Sequence, residues 1–153
     1  TIALGCYISR QDTIKRGWYH KRELLNELEL IDKIKSNLGY DIIELMDLSM
    51  YEKIQIFKSY KNIIQQSSAS SIGIIFSTKK NNNIIISHPK METWLNSKLT
   101  NFSDKSGAPL YTLNGGGECE GVIEDGYEDQ NNLPWKLHDI DGIIKVLNNL
   151  EFY

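Results

Sequence analysis

Two rhythms of apolar and polar positions run through this chain, and the changes between them mark its elements. Short unbroken apolar runs read as buried strands, and apolar residues spaced three and four apart read as helix faces. Ile2 to Ile8 is a run of the first kind, stopped by Ser9-Arg10-Gln11-Asp12. Residues 10–21 then read as a basic loop. From Arg22 to Leu38 the spacing predicts a helix, with Leu24, Leu25, Leu28, Ile31, Ile34 and Leu38 on one stripe. Gly39 follows where a helix-ending left-handed residue belongs. Asp41 to Leu45 is a second strand. Ser49 and Glu52 form a capping box for a helix whose apolar face holds Met50, Ile54 and Phe57.

Asn62-Ile63-Ile64 reads as a third, short strand. The small polar run Ser67 to Ser71 leads into Ile72 to Phe76, expected to be a short buried helix. Asn81-Asn82-Asn83 reads as a turn, and Ile84 to Ser87 as a fourth strand ended by Pro89. Met91, Trp94, Leu95 and Leu99 predict an amphipathic helix, and Pro109 to Leu113 a fifth strand. Asp139 is placed to cap a last helix carrying Ile140, Ile143, Ile144, Leu147 and Leu150. Strands alternating with amphipathic helices predict an α/β fold, a three-layer Rossmann-like domain with a mostly parallel sheet. The helix of residues 22–38 is expected to cross over from the first strand to the second. Residues 114–134 break the pattern: Gly115, Gly116 and Gly117 precede Glu118, Glu120, Glu124, Asp125, Glu128 and Asp129, which reads as a flexible acidic excursion.

At 153 residues the chain can hold one domain with a real core. It opens on Thr1 in a strand-like run without an initiator Met or secretory signal, so a piece of a longer protein is expected. No apolar run reaches the roughly eighteen residues of a membrane span. A net charge of −3 argues against a general nucleic-acid binder. Cys6 reads as a small core residue, and Cys6 and Cys119 make no metal spacing. A disulfide between them is neither demanded nor excluded. The abundance of Asn, Ile and Lys suggests an AT-rich genome, bacterial or viral, and in that case a cytoplasmic location.

Charge type is more informative than net charge. The three arginines, Arg10, Arg16 and Arg22, all fall in one short stretch, together with Lys15, His20 and Lys21. Arginine's planar fork donates paired hydrogen bonds to phosphate or carboxylate, which lysine cannot. A cluster just after the first strand of an α/β protein lies where an anionic ligand binds. The alternative is a solvated basic loop. Arg22 either reaches the same pocket or pairs with Glu23, Asn26 or Glu29 on its own helix. Ser67, Ser68, Ala69, Ser70 and Ser71 either offer hydroxyls and amides to a ligand or form a plain cap and tight turn. Asn26 and Glu27 either orient the basic loop or belong to a solvated helix face. His88, just past the fourth strand, is either a structural histidine or a sugar contact. No calcium-loop order is present among the acids, and no Gly-x-Gly-x-x-Gly follows the first strand, so neither metal nor dinucleotide cofactor is expected.

Several blocks in order resemble the carboxyl-terminal domain of family 61 glycosyltransferases. Tyr7-Ile8-Ser9-Arg10 is similar to the family's strand and arginine, and Arg22 through Leu30 to its arginine, Asn-Glu, Glu-Leu helix. Leu48-Ser49 with Glu52 to Phe57, the strand and loop from Ile63 to Phe76, and Pro134-Trp135 with the final helix continue the likeness. The loop departs from the family's Gly-x-His-Gly-Ala-Gly: Ser67 stands at the His position, Ser68 at a Gly position, and Ala69 agrees. In the next strand, Ile84 to Ser87 lacks the glutamate often found there.

The resemblance implies the donor-binding lobe of a two-lobed, metal-independent glycosyltransferase of the GT-B kind. Such an enzyme transfers a sugar with inversion from a nucleotide donor, here expected to be a UDP sugar, to a glycan or glycoprotein. The nucleotide sugar is a substrate, and no cofactor is implied. The acceptor would be held by a second lobe, so this chain alone is not expected to transfer sugar. Arg10, Arg16, Arg22, Asn26, Glu27 and Ser67 to Ser71 are the expected nucleotide-sugar contacts, while the catalytic residue is not identified. The alternative is a catalytically degenerate domain of the same fold with an assembly or binding role.

Overall fold

A computed structural model of the chain describes residues 3–16, 23–66, 69–88, 92–113, 118–119 and 134–150. Five parallel strands form its central sheet: β1 (Gly5–Ser9), β2 (Asp41–Glu44), β3 (Asn62–Gln66), β4 (Asn82–Ile86) and β5 (Leu110–Leu113), in the spatial order β2-β1-β3-β4-β5. Both faces of the sheet are covered, which is why the strands read as unbroken apolar runs. Tyr7, Ile64, Ile84 and Ile86 face one layer, and Cys6, Ile8, Ile63 and Ile85 the other. The first layer is built from α2 (Glu27–Lys33), which continues as a π-helical turn over Ile34–Leu38, and from α5 (Ile140–Asn149). On the second face lie α3 (Met50–Ser59) through Phe57, a 3₁₀ helix (Ala69–Phe76) through Ile74, and α4 (Glu92–Ser106) through Leu99. The three-layer α/β expectation holds.

Strand order explains the layering. From β1 the chain crosses over one face to β2 on one side, and from β3 it crosses the opposite face to β4 on the other. Connections of one hand that travel in opposite directions must use opposite faces. The reversal falls between β1 and β3, whose register pairs Ile8 with Gln65.

Local signals behave as their chemistry requires. Gly39 ends the π-helical turn at φ 66°. The Ser49 hydroxyl accepts from the Glu52 amide at 3.2 Å and donates to the Glu52 carboxylate at 3.1 Å, and Asp139 caps α5 by accepting from Gly142 N at 2.8 Å. Cys6 is a free, fully buried thiol beside Ile8, Phe57 and Ile63, with its ionisation suppressed by burial and by the nearby Asp41 charge.

Other expectations need correction. Part of the basic loop is a short helix, α1 (Gln11–Lys15), started by the hydrogen bond from Ile14 N to Arg10 O. The long helix begins at Glu27 rather than Arg22, because Glu23 and Leu24 are extended beside Trp135: Trp135 N donates to Glu23 O and Leu25 N to Trp135 O. The asparagine triplet is no simple turn. Asn81 closes the turn by accepting from Thr78 N at 2.8 Å, whereas Asn82 and Asn83 are buried in β4. Asn82 donates to Asn62, which donates to the Tyr40 hydroxyl, so a row of side-chain groups links the amino ends of β4 and β3. The helix after β3 is 3₁₀ in form and only partly buried, since Ile75 and Phe76 are exposed. Within the acidic segment, Glu118–Cys119 is a short strand, β6, antiparallel to β7 (Trp135–Lys136), while residues 114–117 and 120–133 lie outside the described residues.

Candidate functional site

A sheet whose connections diverge leaves a crevice at the carboxyl ends of the two strands where they part, and ligands of doubly wound α/β proteins bind there. In this chain those strands are β1 and β3. Ser9 ends β1 and Gln66 ends β3; Arg10 follows Ser9 directly, and the first turn of α2 packs between them with Glu27.

Glu27 is 1% exposed and is the hub of this region. Its Oε2 accepts from the Tyr7 hydroxyl at 2.6 Å and from Gln66 Nε2, with a longer contact of 3.4 Å from Arg10 N. Its Oε1 accepts from Gln11 Nε2 at 2.7 Å. Gln66 Nε2 also donates to the Tyr7 oxygen at 2.9 Å. A buried carboxylate without such donors would be prohibitively costly. Burial raises the Glu27 pKa; the bonds from Tyr7 and Gln11, the Arg10 amide and the Arg10 charge pull the other way. The Tyr7 hydroxyl is driven well above its ordinary range, first by burial and then by the Glu27 charge. The arrangement ties the ends of β1 and β3, the start of α1 and the start of α2 into one polar knot.

The knot also fixes an amide orientation. A carboxylate only accepts, so Gln66 must turn its nitrogen toward Glu27. Among the described residues its buried carbonyl Oε1 then has no hydrogen-bond partner, nor does the Ser87 hydroxyl one residue beyond β4.

The expected site residues divide into four groups. Arg10 and Glu27 meet at the crevice, with Arg10 half-buried in the non-helical position ahead of α1. Arg16 and Asn26 are engaged elsewhere. The exposed Arg16 fork grips Asp47 at 3.0 and 2.6 Å, which holds the Asp47 carboxyl below its usual range. Asn26 Nδ2 donates to Leu137 O at 2.9 Å while its Oδ1 accepts from Leu137 N at 3.0 Å, stapling the segment before α5 to the start of α2. Arg22, Ser67 and Ser68 lie outside the described residues. Ala69 and Ser70 open the 3₁₀ helix, and Ser71 is buried, its hydroxyl 3.5 Å from Gln66 O. The solvated-face alternative for Glu27 is thereby corrected: the first turn of α2 points this carboxylate inward, against β1 and β3.

Tyr7, Gln11 and Gln66 belong to the same site and were not singled out in the sequence. The signal for Gln66 is the glutamine pair that closes the short Ile63-Ile64 run, because a polar side chain buried at a strand end needs a partner. His88 is buried, its ring meeting Trp135 edge-on with centroids 5.6 Å apart. Among the described residues, no group of three or more His, Cys, Asp or Glu could hold a metal, and no helix is long and apolar enough to cross a membrane.

Comparison with known proteins gives this crevice its context. No curated protein matches the chain. The family model described as Glycosyltransferase 61 matches residues 4–85, which run from the entry to β1 into β4 and include Tyr7, Arg10, Glu27 and Gln66. That is more than half of the chain, and it is the half that builds the β1/β3 crevice: the protein belongs to glycosyltransferase family 61.

Proposed function

We propose that this chain is the donor-binding lobe of an inverting, metal-independent glycosyltransferase, and that the β1/β3 crevice receives the diphosphate of a nucleotide sugar, a UDP sugar in the first instance. The observation that carries this reading is Arg10 beside the buried Glu27 knot at the point where the sheet connections diverge. A diphosphate leaving group must be neutralised as the glycosidic bond breaks. Without a metal that work falls to arginine, hydroxyls and main-chain amides. In the proposed reaction an acceptor hydroxyl of a glycan or glycoprotein attacks the anomeric carbon from the face opposite the diphosphate. The new C–O bond forms as the bond to phosphate breaks, the nucleoside diphosphate leaves, and the acceptor proton passes to a base. A second lobe would hold the acceptor and supply that base, so proximity is absent for this chain alone. The nucleotide sugar is a substrate, and the reaction needs no cofactor. Ser67 to Ser71, following β3, extend the same site in this reading, as does Arg22.

One observation favours the alternative, a degenerate domain kept for binding or assembly. The Arg16 fork, expected on the diphosphate, is already committed to Asp47. Calorimetric titration of the chain with UDP separates the readings: saturable binding that is weakened by Arg10→Lys supports the donor lobe, and absence of binding supports the degenerate domain.

A further inference from the structure

We infer that Glu27 is a positioning residue of the donor site: an acceptor-only carboxylate that sets the Arg10 main chain and the Gln66 amide at the carboxyl edge of the sheet. This rests on the donor-lobe reading and deepens it.

Geometry carries the inference. Four donors from three separate stretches of chain converge on one buried carboxylate: Tyr7 in β1, Arg10 and Gln11 at the entry to α1, and Gln66 at the end of β3. The sheet joins β1 to β3 through the Ile8–Gln65 pair, whereas Arg10 and Gln11 lie beyond the end of β1 at Ser9 and reach Glu27 from outside the sheet. A glutamine at position 27 would bring its own N–H₂ to a place ringed by donors. One of the surrounding groups must then turn away, and the Gln11 and Gln66 amides can each do so about a terminal torsion. If Gln66 is the one to turn, its carbonyl, a buried acceptor with no partner among the described residues, is directed inward. The 3.4 Å contact of the Arg10 amide and the Gln11 bond, which together hold the start of α1 against α2, would loosen. Precise placement of groups around a reacting diphosphate is worth more than their mere presence, so a small relaxation here reaches the ligand.

The test compares Glu27→Gln, Glu27→Asp and Gly5→Ala with wild type, using amide hydrogen exchange and calorimetry with UDP. Gly5→Ala is the structural control: it crowds Tyr40 at the opposite end of β1 and costs stability away from the crevice. Glu27→Gln should speed exchange at the Arg10 amide and the Gln66 side-chain amide by about tenfold or more and weaken UDP binding by about tenfold, with β5 amides unchanged. Glu27→Asp keeps the charge but is too short to reach all four donors, and should show the same pattern if the Gln variant fails to fold. Gly5→Ala should lower the thermal midpoint and leave the UDP Kd within about twofold. Wild-type exchange at Arg10 and Gln66 in the Glu27 variants, or an equal loss of UDP affinity in Gly5→Ala, overturns the positioning role. Failure of wild type itself to bind UDP sinks the donor-lobe reading instead, and the exchange data still decide whether Glu27 sets these groups.

Discussion

The Tyr7 hydroxyl donates to Glu27 Oε2 at 2.6 Å, joining the middle of the first strand to the first turn of α2. Twenty residues separate the two, and both are almost wholly buried. Such a bond has two consequences. It spares the carboxylate a large desolvation cost, and it fixes how α2 enters its layer relative to the crevice.

Tyr7→Phe removes this bond and the acceptor that receives one of the Gln66 bonds, with little change of volume. A hydrogen bond to a charged group contributes about 1.5–3 kcal/mol, so a loss of roughly 2 kcal/mol is expected in urea unfolding. A change below about 0.5 kcal/mol would mean that the carboxylate is satisfied without the tyrosine.

Acid should favour the folded chain at this one site. Burial raises the Glu27 pKa above the ordinary 4.5, so between these values the folded state holds a proton the unfolded state has lost. Stability from Glu27 is therefore fully present below 4.5 and is lost as pH rises through the raised value. Urea unfolding of wild type and Glu27→Gln from pH 4 to 8 isolates it, because other groups cancel in the difference. Wild type should gain on the variant as pH falls; a difference that shrinks on acidification would show that the donors outweigh burial.

Gly5 has no room for a side chain. A Cβ there would lie 2.4 Å from the Tyr40 ring, which is itself buried and held by Asn62 through a 2.8 Å bond. Gly5→Ala should cost about 1–3 kcal/mol as an overpacking change. A thermal midpoint equal to that of wild type would show that the Tyr40 ring swings aside freely.

Much of this architecture was legible in the chain, for physical reasons. Strands covered on both faces leave unbroken apolar runs, and Ile63-Ile64 and Ile84-Ile85-Ile86 announce themselves. Caps are local chemistry, so Ser49, Asp139 and Gly39 were readable from a few neighbours. Contacts between distant segments were not. Nothing near Asn26 shows that Leu137 will take both of its side-chain hydrogen bonds, nor that Trp135 will pair with the main chain of Glu23 and Leu25 and hold the start of the expected helix extended. The same limit hid the knot: Glu27 could be noticed in its block, but Tyr7 and Gln66 acquire meaning only once β1 and β3 lie side by side. Arg16 shows the converse, where a residue suited to phosphate by type finds a carboxylate across space.

The Asn26 staple can be tested directly. Asn26→Ala leaves the Leu137 amide and carbonyl without their partners, at an expected cost of about 1–3 kcal/mol. Hydrogen exchange should quicken at Leu137 and Trp135, while β3 keeps its protection. Uniform quickening across the sheet would instead make the segment integral to global unfolding.

Arg10 and Arg16 make opposite predictions under the donor-lobe reading. Arg10→Lys keeps the charge and loses the planar fork, so UDP affinity should fall by about tenfold, or ~1.4 kcal/mol. Asp47→Ala leaves Arg10 untouched and releases the Arg16 fork from its exposed partner. If the freed guanidinium reaches the diphosphate, UDP affinity should rise severalfold, and the gain should shrink in high salt as screening grows. Exposed ion pairs hold little folding energy, so the thermal midpoint should scarcely move. Calorimetry on both variants at two salt concentrations decides the matter. Equal Kd values for wild type and Arg10→Lys would remove Arg10 from the site. An unchanged Kd in Asp47→Ala would make Arg16 a fastener between α1 and the turn after β2.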